Sequence, residues 1–495
     1  MITQAEYDRL ARQGYNRIPL QTEVLADLET PVSAYLKMAQ GPYSYLLESV
    51  QGGEKWGRYS IIGLPCPTVI RVTGDSLLIE QEGEEIHRQE TDDPLAAIQS
   101  IHRQFNVPQL DTLPRFNGGL VGYFSYDTVR YIEPHLADSD LPDPVGAPDI
   151  LLMVSDELLV FDNLSGRLHI VVHTDPESDD AYASGCERLD QLVEQISSLS
   201  IGRATPVGQV VRESDFRSSF VQEDFEAAVE RCKDYIQSGD IFQVVLSQRL
   251  SIPYDAEPIT LYRALRTVNP SPYMYFLDLD DFQIVGSSPE ILARLEEGEV
   301  TVRPIAGTRR RGLSEEEDRR LEEELISDPK ELAEHLMLVD LGRNDVGRIA
   351  ATGTVELTSK MQVERYSHVM HIVSNVTGEL QDDLDAIDVL RATFPAGTVS
   401  GAPKVRAMEI IDALETTKRG VGYGGGVGYI SAGGEADICI TLRTALFADD
   451  QIFVQAGAGV VADSDPAAEY AETRHKARAP MRAAEEAWRF RTGNR

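Results

Sequence analysis

Two pairs of glutamates carry the most pointed chemistry in the chain. Glu331 and Glu334 stand three apart in Lys330-Glu331-Leu332-Ala333-Glu334-His335, and Glu469 and Glu472 repeat that spacing near the C-terminus. Residues three apart on a helix share a face, so each pair aims two carboxylates the same way. Two such pairs on facing helices make an oxygen-only cage, which suits Mg²⁺ better than zinc. The zinc-protease patterns H-E-x-x-H and H-x-x-E-H are absent, since Glu331 stands where the second needs a histidine. Either pair alone, in a chain with 81 acids, is an ordinary solvated face.

Other segments have a chemical and a plain reading. Gly420-Val-Gly422-Tyr-Gly424-Gly425 fits G-x-G-x-x-G but leads into a strand, whereas the dinucleotide fingerprint follows a strand and opens a helix. Gly457-Ala458-Gly459 follows a strand, yet the next helix cannot begin much before Pro466. Both are Gly-rich loops whose amides suit a carboxylate. Arg309-Arg310-Arg311 alone is a solvated loop, and His371 alone is a satisfied core histidine. Phe394–Lys404 is turn-rich and opens a helix whose amides could hold an anion.

The elements that position these residues follow from periodicity. Ile150–Val154, Leu158–Phe161 and Leu168–His173 read as strands, the last two joined by a hairpin at Asp162–Gly166. Residues 176–196 are helical, and Ser197–Ser214 is the candidate linker. Phe225, Ala228, Val229, Cys232, Tyr235 and Ile236 form one helical face, ended by Gly239, before a strand over Ile241–Leu250. Residues 314–338 read as one acidic helix; Val405, Met408, Ile411 and Leu414 mark another, and Pro466–Arg478 a third. Val427–Ile430, Ile438–Leu442 and Ile452–Gln455 are strands. Strands that follow one another without helices disfavour a strict α/β alternation.

Composition bounds the function. Lys plus Arg is 46 and Asp plus Glu 81, a net charge of 46 − 81 = −35, which repels phosphate backbones and anionic membranes. An anionic substrate would need local arginine, lysine or a metal. Cys66, Cys186, Cys232 and Cys439 lie far apart with no C-x-x-C pair, as in a reduced cytoplasmic protein. The acidic, polar N-terminus predicts no signal peptide, and no apolar run is long enough to span a membrane.

GDIFQVVLSQR (239–249), SSPE (287–290), RPIAGTRRRG (303–312), KELAEHLMLVDLGRND (330–345), VERYSHVMHIVS (363–374), FPAGTVSGAPK (394–404) and QAGAGVVADSDP (455–466) occur in this order. Together they resemble the chorismate-utilising enzymes. Leu46-Leu47-Glu48-Ser49 and Asn269-Pro270-Ser271-Pro272-Tyr273-Met274 resemble the tryptophan-binding elements of the anthranilate synthase large components within that family. The resemblance implies an α/β fold of interleaved subdomains, with packed antiparallel-rich sheets and outer helices. It also implies a regulatory region over 1–215 and a chorismate-binding catalytic domain over 216–495. It implies Mg²⁺ held by Glu334 and Glu472, with Glu331 and Glu469 supporting through water, binding the ring carboxylate of chorismate. Arg443, Tyr423, Thr398, Lys476 and the Gly457-Ala458-Gly459 amides would receive the rest of the substrate, with Gly307 and Thr308 lining the ring. Glu290 would protonate the departing ring hydroxyl, and His371 would act as acid or base in pyruvate loss. Tryptophan would bind at Leu47, Glu48, Ser49, Pro272, Tyr273 and Met274. In GVGYGGGVGY (420–429), Tyr423 fits the substrate-contact position better than Tyr429.

Within the family, Ala306 decides most. The aminodeoxychorismate synthases carry a lysine there as covalent nucleophile; alanine leaves direct attack by ammonia. Isochorismate and salicylate synthases use water and a base, and lack the tryptophan elements. The resemblance therefore implies a Mg²⁺-dependent, tryptophan-inhibited amination of chorismate to anthranilate and pyruvate, the first committed step of tryptophan biosynthesis. The alternatives are an aminodeoxyisochorismate or aminodeoxychorismate synthase and, outside enzymes, a catalytically dead tryptophan sensor. His371 counts against the first, and the retained acids against the last. None of the four cysteines sits in a Gly-x-Cys-x-Gly elbow, so ammonia is expected from a separate glutamine amidotransferase chain in a hetero-oligomer.

Overall fold

The computed structural model describes residues 1–50, 58–137, 141–199, 210–366 and 369–490. Residues 200–209 of the candidate linker, and 367 and 368 within VERYSHVMHIVS, lie outside the described residues.

The strand Gly119–Phe124 shows how the layers arise. All six residues are buried. Alternate side chains point to opposite faces of a strand. Val121 and Tyr123 enter a core shared by two sheets, whereas Leu120 and Phe124 enter a core against helices. Burial on both faces explains the unbroken apolar run.

Among the described residues there are two twelve-stranded sheets, and every strand pair is antiparallel. The first runs from Ile18–Leu25 through Arg167–Thr174, Glu157–Asp162, Tyr59–Gly63, Ser44–Glu48, Tyr273–Asp278, Gln283–Ser288, Thr444–Ala448, Gln451–Val460 and Gln243–Pro253 to Arg217–Ser218, with Gly401–Ala402 beside Gln243–Pro253. The second runs from Ile305–Arg310 through Val369–Glu379, Glu299–Val302, Ile291–Glu296, Ala436–Ile440, Gly426–Ser431, Gly119–Phe124, Ile150–Ser155, Thr68–Thr73 and Ser76–Gln81 to Glu84–Glu90, with Glu356–Arg365 beside Val369–Glu379. Tyr45, Tyr275 and Leu446 of the first sheet meet Val121, Leu151 and Val427 of the second across the central core. Helices cover both outer faces, giving four layers. Each sheet draws strands from both sides of residue 215, so the segments 1–215 and 216–495 are interleaved.

The hairpin at 162–166 forms as expected, pairing Leu168 with Phe161. The acidic stretch differs from its reading as one helix: it breaks into Glu315–Ser327 and Pro329–Gly347. Pro329 lacks an N–H and steers Asp328 out of the helical region (φ −75, ψ 112), and the Asp328 carboxylate then caps the second helix. Glu331 thereby falls in a helical first turn of its own. The C-terminal helix runs farther than expected, from Pro466 to Glu486, through Pro480.

Candidate active site

The two acidic helices are started by the same local device, an Asp-Pro step. Asp328 accepts from the Lys330 and Glu331 amides (3.0 and 3.4 Å), and Asp465 accepts from the Ala468 amide (2.9 Å). His335, fully buried, docks the first helix on Val369–Glu379 through Ser374 (2.7 Å). Burial raises the Glu334 carboxyl above its ordinary value. Glu331 of the same helix adds to the rise, as does Glu472 of the other, while Lys476 opposes it. Glu469 is raised by burial too, with Glu472 contributing. The four carboxylates are therefore linked through one another's fields, Glu331 and Glu472 acting on Glu334 and Glu472 on Glu469. Two of them have cationic partners: Glu331 pairs with Arg309 (2.8 Å) and Glu472 with Lys476 (2.8 Å).

An all-oxygen, mutually repelling donor set fits a hard divalent cation. Among the described residues, no three acids, histidines or cysteines gather closely enough to hold a metal by themselves. A Mg²⁺ ion is ordinarily held by one or two carboxylates plus substrate oxygens and water rather than by a closed protein cage, so the donors suit an ion shared with a substrate carboxylate.

Opposite the helices, Ile305–Arg310 pairs with Val369–Glu379 in a register that slips between Ala306 and Thr308. Gly307 forms this bulge at φ +66, where a side chain would be strained; a Cβ there would also lie 3.2 Å from a Glu331 carboxylate oxygen. The bulge turns the Gly307 carbonyl onto His371 Nδ1 (3.0 Å), with the Thr308 hydroxyl also at 3.0 Å. A carbonyl only accepts, so Nδ1 carries the proton and Nε2 presents its lone pair. Burial lowers His371 to about 4, and the Arg443 charge adds to the effect. His371 is therefore neutral at physiological pH.

Glu290 is the opposite case. Buried at 7% exposure, it follows the Gln283–Ser288 strand and accepts from the Thr398 hydroxyl (3.1 Å). Burial pushes its carboxyl from 4.5 up to about 8, although the Thr398 hydroxyl, the Ile305 amide and the Arg443 and Lys476 charges pull the other way. Arg443 holds a left-handed backbone (φ +50), and its charge is felt by both Glu290 and His371.

Tyr423 lies among these groups. A Cβ on Gly457 would sit 2.5 Å from its hydroxyl, and the Arg419 guanidinium lies 5.2 Å from its ring centroid. Gln451–Val460 pairs with Thr444–Ala448 only as far as Val454, so among the described residues the Gly457-Ala458-Gly459 stretch has a strand partner on one side alone. Tyr429 faces elsewhere, packed on Phe116 (4.3 Å). Lys476 and Glu472 are about half exposed (53% and 47%), within reach of an incoming ligand.

The residues expected to bind tryptophan meet at a second place. Leu47, Glu48, Ser49, Pro272, Tyr273 and Met274 line one cavity of about 1090 Å³. Pairing of Glu48 with Met274 across adjacent strands brings the two sequence elements together. The Glu48 carboxylate is already engaged by Tyr262 and by Arg266 (3.1 and 3.2 Å). The cavity also touches Tyr366, whose ring is edge-on to His371 at 5.7 Å.

Two expectations shift, and one residue joins the site unannounced. The arginine run is not a solvated loop: Arg309 ties to Glu324, Asp328 and Glu331, Arg310 to Glu317, and Arg311 to Asp318. At the start of helix Lys404–Leu414, Lys404 is buried against Asp345 (2.9 Å), and its segment delivers Thr398 to Glu290. Arg419 was not singled out by sequence. It is 2% exposed, paired with Glu415 (2.6 Å), and donates to the Val399 and Val245 carbonyls (2.6 and 2.7 Å), bracing the Thr398 loop behind Tyr423. Both residues lie beyond the end of the Lys404–Leu414 helix, so no local spacing signals the pair. Cys66, Cys232 and Cys439 are buried, and burial pushes the Cys66 and Cys232 thiols up to about 12, so these are not nucleophiles.

Residues 50–482 match the family model described as chorismate binding enzyme. The chain is 58% identical to anthranilate synthase component 1 of Pseudomonas aeruginosa over 97% of each chain. It is 51% identical to that of Aquifex aeolicus over 96% of each. The crystal structure of anthranilate synthase component I from Streptococcus pneumoniae superposes with a TM-score of 0.75 at 37% identity, covering 92% of this chain and 99% of that one. The menaquinone-specific isochorismate synthase of Escherichia coli, at 19% identity, shares the fold (TM-score 0.69; 97% and 98% covered).

Proposed function

Because the chain belongs to the family of chorismate-binding enzymes, we propose that it is the chorismate-aminating large component of an anthranilate synthase. It takes chorismate and ammonia to anthranilate and pyruvate. Its identity to the component 1 proteins over nearly its whole length supports this. The observation that carries the mechanism is a pair of oppositely tuned groups under one arginine. Glu290 stays protonated up to about pH 8 and His371 stays neutral down to about pH 4.

The residues act as follows. Arg443 and Lys476 supply the local positive charge that a chain of net charge −35 otherwise lacks, and with Tyr423 and the one-sided Gly457-Ala458-Gly459 edge they receive a dicarboxylate. Gly307 and Thr308 line the ring. The protonated Glu290 hands its proton to the departing ring hydroxyl, and Thr398 steadies that carboxyl. Ala306, beside the bulge, offers no amine, so ammonia itself is the nucleophile. His371 Nε2 then takes the ring C–H proton as the enolpyruvyl oxygen leaves, which aromatises the ring. Glu334 and Glu472, supported by Glu331 and Glu469, would hold Mg²⁺, which when bound supplies Lewis-acid stabilisation of the charge developing on the ring carboxylate.

Ammonia comes from a partner glutamine amidotransferase, and the pathway is tryptophan synthesis in the cytoplasm. L-tryptophan binds in the 1090 Å³ cavity and opposes chorismate. With Glu48 engaged by Arg266 and Tyr262, its ammonium group is left to backbone carbonyls at the strand end.

The purified chain with chorismate, Mg²⁺ and ammonium should release fluorescent anthranilate and pyruvate in equal amounts, and none with glutamine as sole nitrogen donor. Accumulation of an aminated, pyruvate-bearing intermediate would select the aminodeoxyisochorismate synthase reading instead. Turnover with glutamine by the single chain would refute the separate amidotransferase.

A further inference from the structure

We propose that Arg309 is an internal counter-cation of the metal site, holding Glu331 in the unloaded enzyme and giving it up when a divalent cation binds. The inference rests on the reading of Glu334 and Glu472 as the carboxylates that hold the metal, with Glu331 and Glu469 supporting it through water.

The guanidinium divides its donors among three acids from two helices. Nη1 reaches Glu331 (2.8 Å), Nη2 reaches Asp328 (2.9 Å) and Nε reaches Glu324 (3.0 Å). Nη1 also donates to the Thr308 carbonyl (3.0 Å). Its place is fixed by the chain: Arg309 lies two residues beyond the Gly307 bulge, and that bulge sets the strand against the other Glu331 oxygen.

Two consequences follow from elementary electrostatics. A carboxylate bound to a guanidinium has its charge neutralised and an oxygen occupied, so a metal and the water it carries must compete for it. An arginine with three acidic partners loses little by releasing one, because Asp328, Glu324 and the Thr308 carbonyl keep it bound. The arrangement lets a divalent ion displace the arginine without leaving a bare buried charge. It also keeps the acids from repelling one another before the ion arrives. Arg309 therefore lowers the affinity for a free divalent ion and makes loading depend on the additional oxygens a substrate carboxylate brings.

The test measures metal binding, not turnover. Mn²⁺ serves as the probe, with the free ion counted by electron paramagnetic resonance on the purified full chain without substrate. Thermal melts establish that each variant is folded. Arg309→Gln should bind Mn²⁺ about tenfold more tightly than wild type, the effect of removing one charge-assisted, partly buried partner. Glu331→Gln should bind more weakly. Adding Arg309→Gln to Glu331→Gln should change nothing further, because the competing pair is already gone; a general charge effect would persist in that background. Should Arg309→Gln not fold, Arg309→Lys keeps the charge but loses the fork, and should tighten Mn²⁺ about threefold. Wild-type affinity, or weaker, in folded Arg309→Gln overturns the proposal while leaving the metal reading standing. No Mn²⁺ binding by wild type or by folded Arg309→Gln overturns the proposal, and if none binds with chorismate present either, the metal reading falls with it.

Discussion

Replacing Glu290 by glutamine should cost activity and gain stability, with both effects following one ionisation. The carboxyl is raised from 4.5 to about 8 by burial, a preference for the protonated form of roughly 5 kcal/mol. In the unfolded chain it ionises near 4.5, so between pH 4.5 and 8 folding must take up a proton. The sign is then fixed: the penalty is absent below pH 4.5, grows with rising pH, and levels off above about pH 8. At pH 7 it amounts to about 3 kcal/mol. The glutamine side chain needs no proton, and its oxygen can still accept from Thr398 and the Ile305 amide. For a 495-residue chain, unfolding entropy of about 1 kcal/mol/K converts this to a rise in Tm of roughly 3 °C at pH 7 and 5 °C at pH 8.5, with almost none at pH 4.5. Loss of the proton donor should meanwhile lower kcat by about 10²–10⁴-fold. The wild-type alkaline limb of kcat/KM near pH 8, expressed per free ammonia, should vanish from the residual rate. The assays are anthranilate fluorescence against pH and thermal melts of both proteins at matched pH. An unchanged alkaline limb in the variant, or the same difference in Tm at pH 5 and pH 8.5, would refute the reasoning.

Glu334→Ala and Glu472→Ala should each lower turnover about a thousandfold at unchanged far-UV circular dichroism, since several kcal/mol of transition-state stabilisation is lost; full activity in excess EDTA would show that no metal is needed. Gly457→Ala would place a methyl 2.5 Å from the Tyr423 hydroxyl and 3.0 Å from the Leu246 carbonyl. It should raise KM for chorismate by about tenfold or more, and an unchanged KM would mean that Tyr423 does not contact substrate. Ser49→Phe should fill the cavity and leave an active enzyme indifferent to tryptophan, whereas in wild type the two ligands should weaken each other by roughly 5–150-fold. Chorismate titrations at several tryptophan concentrations decide it, and equal inhibition of both proteins would place the regulatory site elsewhere.

Much of the site was legible because it is written locally. The E-x-x-E spacing fixes which carboxylates share a helical face. The helical reading of Pro466–Arg478 placed Lys476, whereas the strand that carries His371 was not marked and Tyr423 lies in the turn before the strand at Gly426. Periodicity ran straight through Asp328-Pro329, however, and the break there followed from proline's missing N–H. What the sequence could not disclose depends on neighbours far along the chain. Glu290 is one acid among 81, and nothing in Ser288-Pro289-Glu290 announces that Thr398, Ile305 and Arg443 will enclose it. Its proton-donor character arises from desolvation, which exists only once distant segments pack. Tyr423 and Tyr429 are six residues apart in one glycine-rich run. Only the onset of the strand at Gly426 sends the second to Phe116 and leaves the first over Gly457. Arg309 looked like solvated charge for the same reason. A guanidinium's partners are set by which helices the sheet brings beside it, and that is a property of the tertiary fold.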